Sequence, residues 1–242
     1  LLPTGKADPP LREVRGFAVA GRLLYVANAY ERDSQILLYA AGEDGAYRFK
    51  QVWASQQTTP ALVHPYDLTF DEQGNCYVSS QDTNVLMGLD ASGSPLAVAP
   101  YLRRHYPPPA AFLPGTFVAS SIGALPGVKP PDREPPPDVP APQGLAVRFA
   151  GHTQKTVAHS VRGVLSHGGY LYVADEPADA VKVYDGGTGE LHGQIAGDKL
   201  RAPAQLLAAA GVLYIGSSES DRVLRYDLAQ GPPVGTVRPQ TF

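Results

Sequence analysis

The chain has 242 residues, 43% of them hydrophobic, and its 25 glycines and 24 prolines make about a fifth of it turn formers. That is enough apolar material for one large domain or two small ones, and too little low-complexity character for a disordered chain. A formal charge of -3, from 20 Lys+Arg against 23 Asp+Glu, argues against a general nucleic-acid-binding surface. A single cysteine, Cys76, excludes an internal disulfide framework and a cysteine-rich zinc site, and the longest apolar run, 206–216, is too short to cross a bilayer.

Taken in chain order, the sequence repeats one idea: an apolar strand, a Gly-containing turn, then a strand centred on an aromatic residue. The first unit reads VRGFAVAGRLLYVANA from Val14, with a third strand SQILLYA from Ser34 and a fourth expected at Tyr47–Trp53. The second reads HPYDLTFDEQGNCYVSS from His64, then NVLMGLD from Asn84 and a fourth strand expected at Leu96–Leu102. A weaker third copy has GTFVASS from Gly115, GLAVRFA from Gly144 and a last strand at Lys155–His159. The fourth reads VRGVLSHGGYLYVADE from Val161, followed by AVKVYD and a strand at Leu191–Ala196. The fifth reads APAQLLAAAGVLYIGSS from Ala202, then RVLRYD and a strand at Val234–Arg238.

Tyr25, Tyr77, Phe117, Tyr172 and Tyr214 hold the same place in each unit, at intervals of 52, 40, 55 and 42 residues. The turns are Gly- or Asp-rich (AAGEDGA, DASGSP, DGGTGE), as tight hairpins require. Helical periodicity is nearly absent. Four antiparallel strands repeating at this period predict an all-β fold, a β-propeller of four-stranded blades with five blades recognisable, built as one domain over 1–242.

One stretch breaks the rhythm. Between Pro107 and Pro142 there are 12 prolines in 36 residues. Its core cannot sustain a sheet ladder, because proline lacks the backbone donor. We read 122–142 as an extended, polyproline-like loop inserted in the third blade: an ordinary surface excursion, a cap on the channel or a contact for a partner.

The repeated wording Pro-x-x-apolar, Gly-x-apolar-Tyr-Val-Ala-Asp and Val-x-x-Tyr-Asp resembles the NHL-type blade, most closely in YLYVADEPADAVKVYD, 170–185. Such blades build six-bladed propellers, including peptidyl-hydroxyglycine amidating lyases, gluconolactonase-like enzymes and virginiamycin B lyases. The resemblance implies a scaffold that serves enzymes and binding domains alike. Five units against the family's six imply a five-bladed ring, a lost blade, or one supplied by another chain. The N-terminal LLPTG is a candidate outer strand to complete the last blade.

In such a meander the entry of a first strand and the exit of a second open on one face of the ring. Thirteen residues before each aromatic anchor stand Arg12, His64, Arg104, His159 and Arg201, all basic. Three positions further on, Arg15, Asp67 and Arg162 are expected to point toward the axis. At the exits lie Asn28, Ser80, Ser120, Asp175 and Ser217, with Asp82, Glu176 and Glu219 close behind.

Two site chemistries follow. A basic ring of Arg12, Arg15, His64, Arg104, His159, Arg162 and Arg201, with Asp67 beside it in the ligand-binding set, suits an anionic small molecule or protein partner, since arginine offers a bidentate fork to carboxylate or phosphate. Alternatively His64 and His159, with His152 or His167 and with Asn28 and Asp175, hold zinc or calcium in the axial channel. The amidating lyases place zinc-binding histidines at blade entries, and His64-Pro65 resembles that placement, although the other entries carry arginine. The lactonase-like enzymes use a Glu/Asn/Asp set, to which Asn28 and Asp175 alone correspond.

Each residue also has a structural reading: inter-blade hydrogen bonding for the histidines, ion pairing for Arg15 and Arg162, packing for the tyrosines, and burial as an inert thiol for Cys76. The preferred expectation is a ligand- or protein-binding propeller. A metal-dependent lyase or lactone hydrolase and a structural module of a larger extracellular assembly are the competing classes. Extracellular or periplasmic location is favoured by the family resemblance and the non-Met start.

Overall fold

Each repeat folds where β-branched and aromatic residues alternate and stops where glycine or aspartate opens a turn. The computed structural model describes residues 9–29, 33–59, 62–81, 85–94, 116–119, 146–149, 161–186, 191–236 and 239. Sheet I is the meander β1 (Val14–Ala20), β2 (Leu23–Asn28), β3 (Gln35–Ala41), β4 (Tyr47–Ser55). Sheet II begins with β5 (Pro65–Phe70), β6 (Cys76–Ser80) and β7 (Val85–Leu89).

Two strands from the weak third repeat, β8 (Thr116–Ala119) and β9 (Ala146–Phe149), do not form a blade of their own. The β9 strand pairs antiparallel with β7, and β8 lies parallel outside it, so both extend sheet II. Sheet III runs β10 (Val161–His167), β11 (Tyr170–Asp175), β12 (Ala180–Asp185), β13 (Leu191–Ala196). Sheet IV has β14 (Pro203–Ala209), β15 (Val212–Ser217) and β16 (Arg222–Asp227). The final strand, β17 (Gly235–Thr236), pairs parallel with β13 and so joins sheet III, not the sheet it was expected to complete. Four sheets, not five, account for the described strands. The segments 1–8, 95–115, 120–145 and 150–160, including the expected strands at Leu96–Leu102 and Lys155–His159 and the proline-rich loop, lie outside the described residues.

The first strands are the inner ones. β1 packs on β5, β5 on β10 and β10 on β14, so the four sheets succeed one another in a propeller-like arc. Apolar faces fill the spaces between sheets. Tyr25, Ala27, Ile36 and Leu38 of sheet I meet Leu68, Cys76, Val78, Met87 and Leu89 of sheet II. Tyr172, Ala174, Val181 and Val183 of sheet III meet Leu206, Leu213, Ile215, Leu224 and Tyr226 of sheet IV. Tyr25 lies 4.7 Å from Phe70 and edge-on to Trp53 at 5.0 Å between ring centres, which gives its sheet-to-sheet contact aromatic as well as apolar character. Cys76 is wholly buried here, and burial pushes its thiol up, so it is an inert core group.

The VRG triplets owe their glycine to backbone contact between inner strands. A Cβ on Gly16 would stand 2.7 Å from the Tyr66 carbonyl oxygen, and one on Gly163 would stand 2.7 Å from that of Ala204. Both obstacles are main chain of the next sheet, which cannot swing aside. We therefore expect Gly163→Ala to force sheets III and IV apart and to cost about 1–3 kcal/mol, the range for overpacking a close contact. Urea denaturation followed by circular dichroism measures this; an unchanged midpoint would refute the close approach.

Candidate functional site

Every inner strand begins with the same irregularity. Val14 pairs with Asn28, Pro65 with Ser80, Val161 with Asp175 and Pro203 with Ser217; then the register slips before regular pairing resumes. Such β-bulges bend a strand and re-aim its side chains. The residues thrown into the bulges are Arg15 and Gly16, Tyr66, Arg162 and Gly163, and Ala204.

The exit residues clamp the incoming chain. Asn28 accepts the Arg12 N–H at 3.0 Å and donates to the Pro10 carbonyl at 3.1 Å. Ser80 accepts the Val63 N–H and donates to the Val63 carbonyl, both at 2.7 Å. Ser217 accepts the Arg201 N–H at 2.7 Å and donates to the Arg201 carbonyl at 2.8 Å. The clamp therefore makes Arg12, Val63 and Arg201 structural counterparts. His64 is one residue out of line, because the β5–β6 hairpin carries one more residue between Leu68 and Tyr77 than β1–β2 carries between Phe17 and Tyr25. A fixed count of thirteen residues thus sampled different places in different sheets. By the same register the counterpart of Arg15 and Arg162 is Tyr66, not Asp67.

That correction brings a cluster into view. Tyr66 sits between the two arginines, with the Arg162 guanidinium 4.9 Å and the Arg15 guanidinium 6.0 Å from its ring centre. Arg162 is mostly buried, held by Glu176 at 2.8 and 3.3 Å and by Gln81 at 3.3 Å. Arg15 pairs with Glu13, and both are about a third exposed. Sequence reasoning missed Tyr66; counting from the apolar residue of each first strand (Phe17, Leu68, Val164), which lies ahead of the longer β5–β6 turn, would have found it.

Asp67 serves the fold. Its carboxylate accepts the Leu68 N–H at 2.9 Å and, across the sheet boundary, the Val164 N–H at 3.1 Å. Burial raises its carboxyl to about 6, and the two backbone donors only partly offset that rise. His64 adopts a left-handed backbone, φ 49°, donates its N–H to Ser34 Oγ at 3.1 Å, and accepts the Gln81 N–H on its carbonyl at 3.0 Å. Asp175 is buried at the β11 exit. Arg201 is exposed and pairs with Asp179 at 2.8 Å. His167 ends β10 beside the hairpin turn, at the other end of that strand from Arg162, so it cannot assist the entry face. Arg104, His152 and His159 lie outside the described residues, as do Ser120 and Asp82. Among the described residues no group of three or more His, Cys, Asp or Glu is gathered to hold a metal.

No family model matches the chain, and no curated protein matches it. Solved structures do. A protein from Lactobacillus plantarum is similar with a TM-score of 0.54 and 12% identity, over 93% of this chain and 55% of that one. A protein of unknown function from Bacteroides caccae is similar with a TM-score of 0.51 and 11% identity, over 91% of this chain and 65% of that one. Glutaminyl cyclase of Myxococcus xanthus follows at a TM-score of 0.46 and 13% identity, over 89% of this chain and 66% of that one. These likenesses concern the fold, which is propeller-like. The chain spans little more than half to two-thirds of these structures.

The raised carboxyl of Asp67 has a consequence for stability. An acid whose folded value lies above its unfolded 3.8 binds protons more readily in the native state. Stability therefore falls as pH rises from about 4 to 6, by about 3 kcal/mol in all, and Asp67→Asn flattens that slope. Urea midpoints measured across this window check it. A slope that persists in Asp67→Asn assigns the titration elsewhere.

Proposed function

We propose that this chain is a binding protein on an NHL-type propeller scaffold, and that it takes an anionic partner at the inner-strand entries. The observation that carries the reading is the Arg15–Tyr66–Arg162 stack, in which neighbouring sheets place a guanidinium, an aromatic ring and a second guanidinium side by side. Arg162 is tied down by Glu176 and Gln81 and so is oriented in advance. The ion pair of Arg15 with Glu13 is exposed, and exposed pairs are worth only about 0–1 kcal/mol, so a carboxylate or phosphate displaces Glu13 at little cost. Tyr66 orients both guanidinium groups through their contact with the electron-rich face of its ring. Arg12, Arg201 and His64 stand at the surrounding entries, with Arg104 and His159 assigned to the same ring by the repeat. The wording of 170–185 supports the NHL-type blade.

Titration calorimetry with citrate, phosphate and an acidic peptide tests this. Arg15→Ala with Tyr66→Ala is expected to weaken binding of the preferred anion at least about tenfold, while Arg15→Lys keeps charge but loses the fork and falls between. Binding that is unchanged in the double variant overturns the proposal. Elemental analysis of the purified protein adds a second arm: stoichiometric zinc or calcium transfers the site to the metal-dependent lyase or lactone hydrolase reading.

A further inference from the structure

Both arginines of the stack are held by carboxylates of their own chain, and the two holds differ in kind. On Arg162, Glu176 takes Nε at 2.8 Å and Nη2 at 3.3 Å, while Gln81 takes Nη1 at 3.3 Å. All three nitrogens are engaged, and the Arg162 and Glu176 side chains are only 16% and 10% exposed. Glu176 opens the short 3-10 turn Glu176–Ala178, where Pro177 follows it. Removing its carboxylate would leave a mostly buried guanidinium unpaired, so this pair stays in place.

On Arg15 the Glu13 carboxylate reaches one nitrogen, Nη2. A guanidinium offers a carboxylate two two-point forks: the side pair Nε and Nη2, and the end pair Nη1 and Nη2. Nη2 is common to both. Glu13 therefore closes both forks with a single contact, while Nε and Nη1 make no hydrogen bond among the described residues.

Only side chains have to move for the fork to open. The Glu13 carbonyl accepts the Ala29 N–H at 2.8 Å, which fixes that backbone independently of the carboxylate. Gly16, next to Arg15, lies against the Tyr66 carbonyl, which fixes the other. The Glu13 and Arg15 side chains are each 37% exposed, so water receives the Glu13 carboxylate when it swings away.

Charge then limits what can replace it. The four groups balance, two guanidiniums against two carboxylates. One carboxylate entering as Glu13 leaves keeps Arg15 neutralised. The second charge of a dianion would face Glu176 with no uncommitted guanidinium to meet it, since Arg162 is spent on Glu176 and Gln81.

We propose that Glu13 is a built-in competitor that occupies the Arg15 fork until a ligand carboxylate replaces it, and that the site therefore selects single carboxylates over phosphate-like dianions. This rests on the anion-binding reading above and narrows its ligand class. Glu13 sets specificity, and Arg15 makes the contact.

Calorimetric titration of the 242-residue chain at matched ionic strength tests this, with acetate and acetyl-glutamate amide as single carboxylates and sulfate as the dianion. Sulfate is expected to bind at least about tenfold more weakly than the better carboxylate. Glu13→Gln keeps the shape of the competitor without its charge. It is expected to tighten the carboxylates about two- to fivefold, the range set by losing an exposed ion pair, and to narrow the gap to sulfate. Glu43→Gln, the same charge change in the β3–β4 turn, is expected to alter neither. Tighter binding of acetyl-glutamate amide than of acetate identifies an acidic peptide as the source of the carboxylate, and equal binding a free carboxylic acid; both support the proposal. Sulfate bound as well as the carboxylates, a Glu13→Gln variant without effect, or the same gain in Glu43→Gln overturns it and leaves the anion-binding reading standing. Failure of both the unaltered chain and Glu13→Gln to bind any of the three overturns that reading as well.

Discussion

The inner edge of sheet III is where the fold is most constrained. β10 has one sheet neighbour, β11, so alternate backbone groups on its other edge need partners from elsewhere. Side chains of sheet II provide them: Asp67 accepts the Val164 N–H, Thr69 accepts the Ser166 N–H at 3.0 Å, and Ser79 donates to the Arg162 carbonyl. The partners alternate along the strand as the pleat does. Three polar residues in the middle of an otherwise apolar boundary thereby set both the spacing and the sliding position of sheet III against sheet II. A buried carboxylate is the costly member, and its elevated carboxyl is the record of that cost.

The two neighbouring boundaries are close for a different reason. Gly16 stands against the Tyr66 carbonyl of sheet II and Gly163 against the Ala204 carbonyl of sheet IV, where no Cβ fits between the inner strands. The bulges complete the arrangement. By throwing Arg15, Tyr66 and Arg162 out of the ladder, they set three side chains of different sheets against one another at the entry face. The candidate site is a product of the scaffold's solution to its own edge problem, and the polar residues nearest to it, Asp67 and Ser79, hold the scaffold.

Much of this was legible in the chain alone, and the losses are instructive. The first three strands of the first, second, fourth and fifth units follow their alternation and turn residues closely, since local chemistry decides them. The weak third unit was counted as a blade because Phe117 stands where a tyrosine should, but periodicity carries no information about which edge a short strand will join. Its two described strands extend sheet II, and Gly235–Thr236 extends sheet III. The basic column at a fixed offset failed at His64 for a related reason: one added hairpin residue shifts everything upstream of it.

What the sequence by itself determined is therefore the unit: an apolar strand, a tight turn, an anchor tyrosine, and the small polar residue that ends the second strand. These depend on residues close in the chain, where pleat and turn preferences act. Only the tertiary structure decided that Tyr66 stacks with Arg15 and Arg162, that Asp67 accepts a backbone N–H across the sheet boundary, and that Phe17 and Val223 are bare while their counterparts are buried. Each of these depends on which sheet lies next to which, and nothing in a repeating pattern distinguishes a unit with two neighbours from one with a single neighbour.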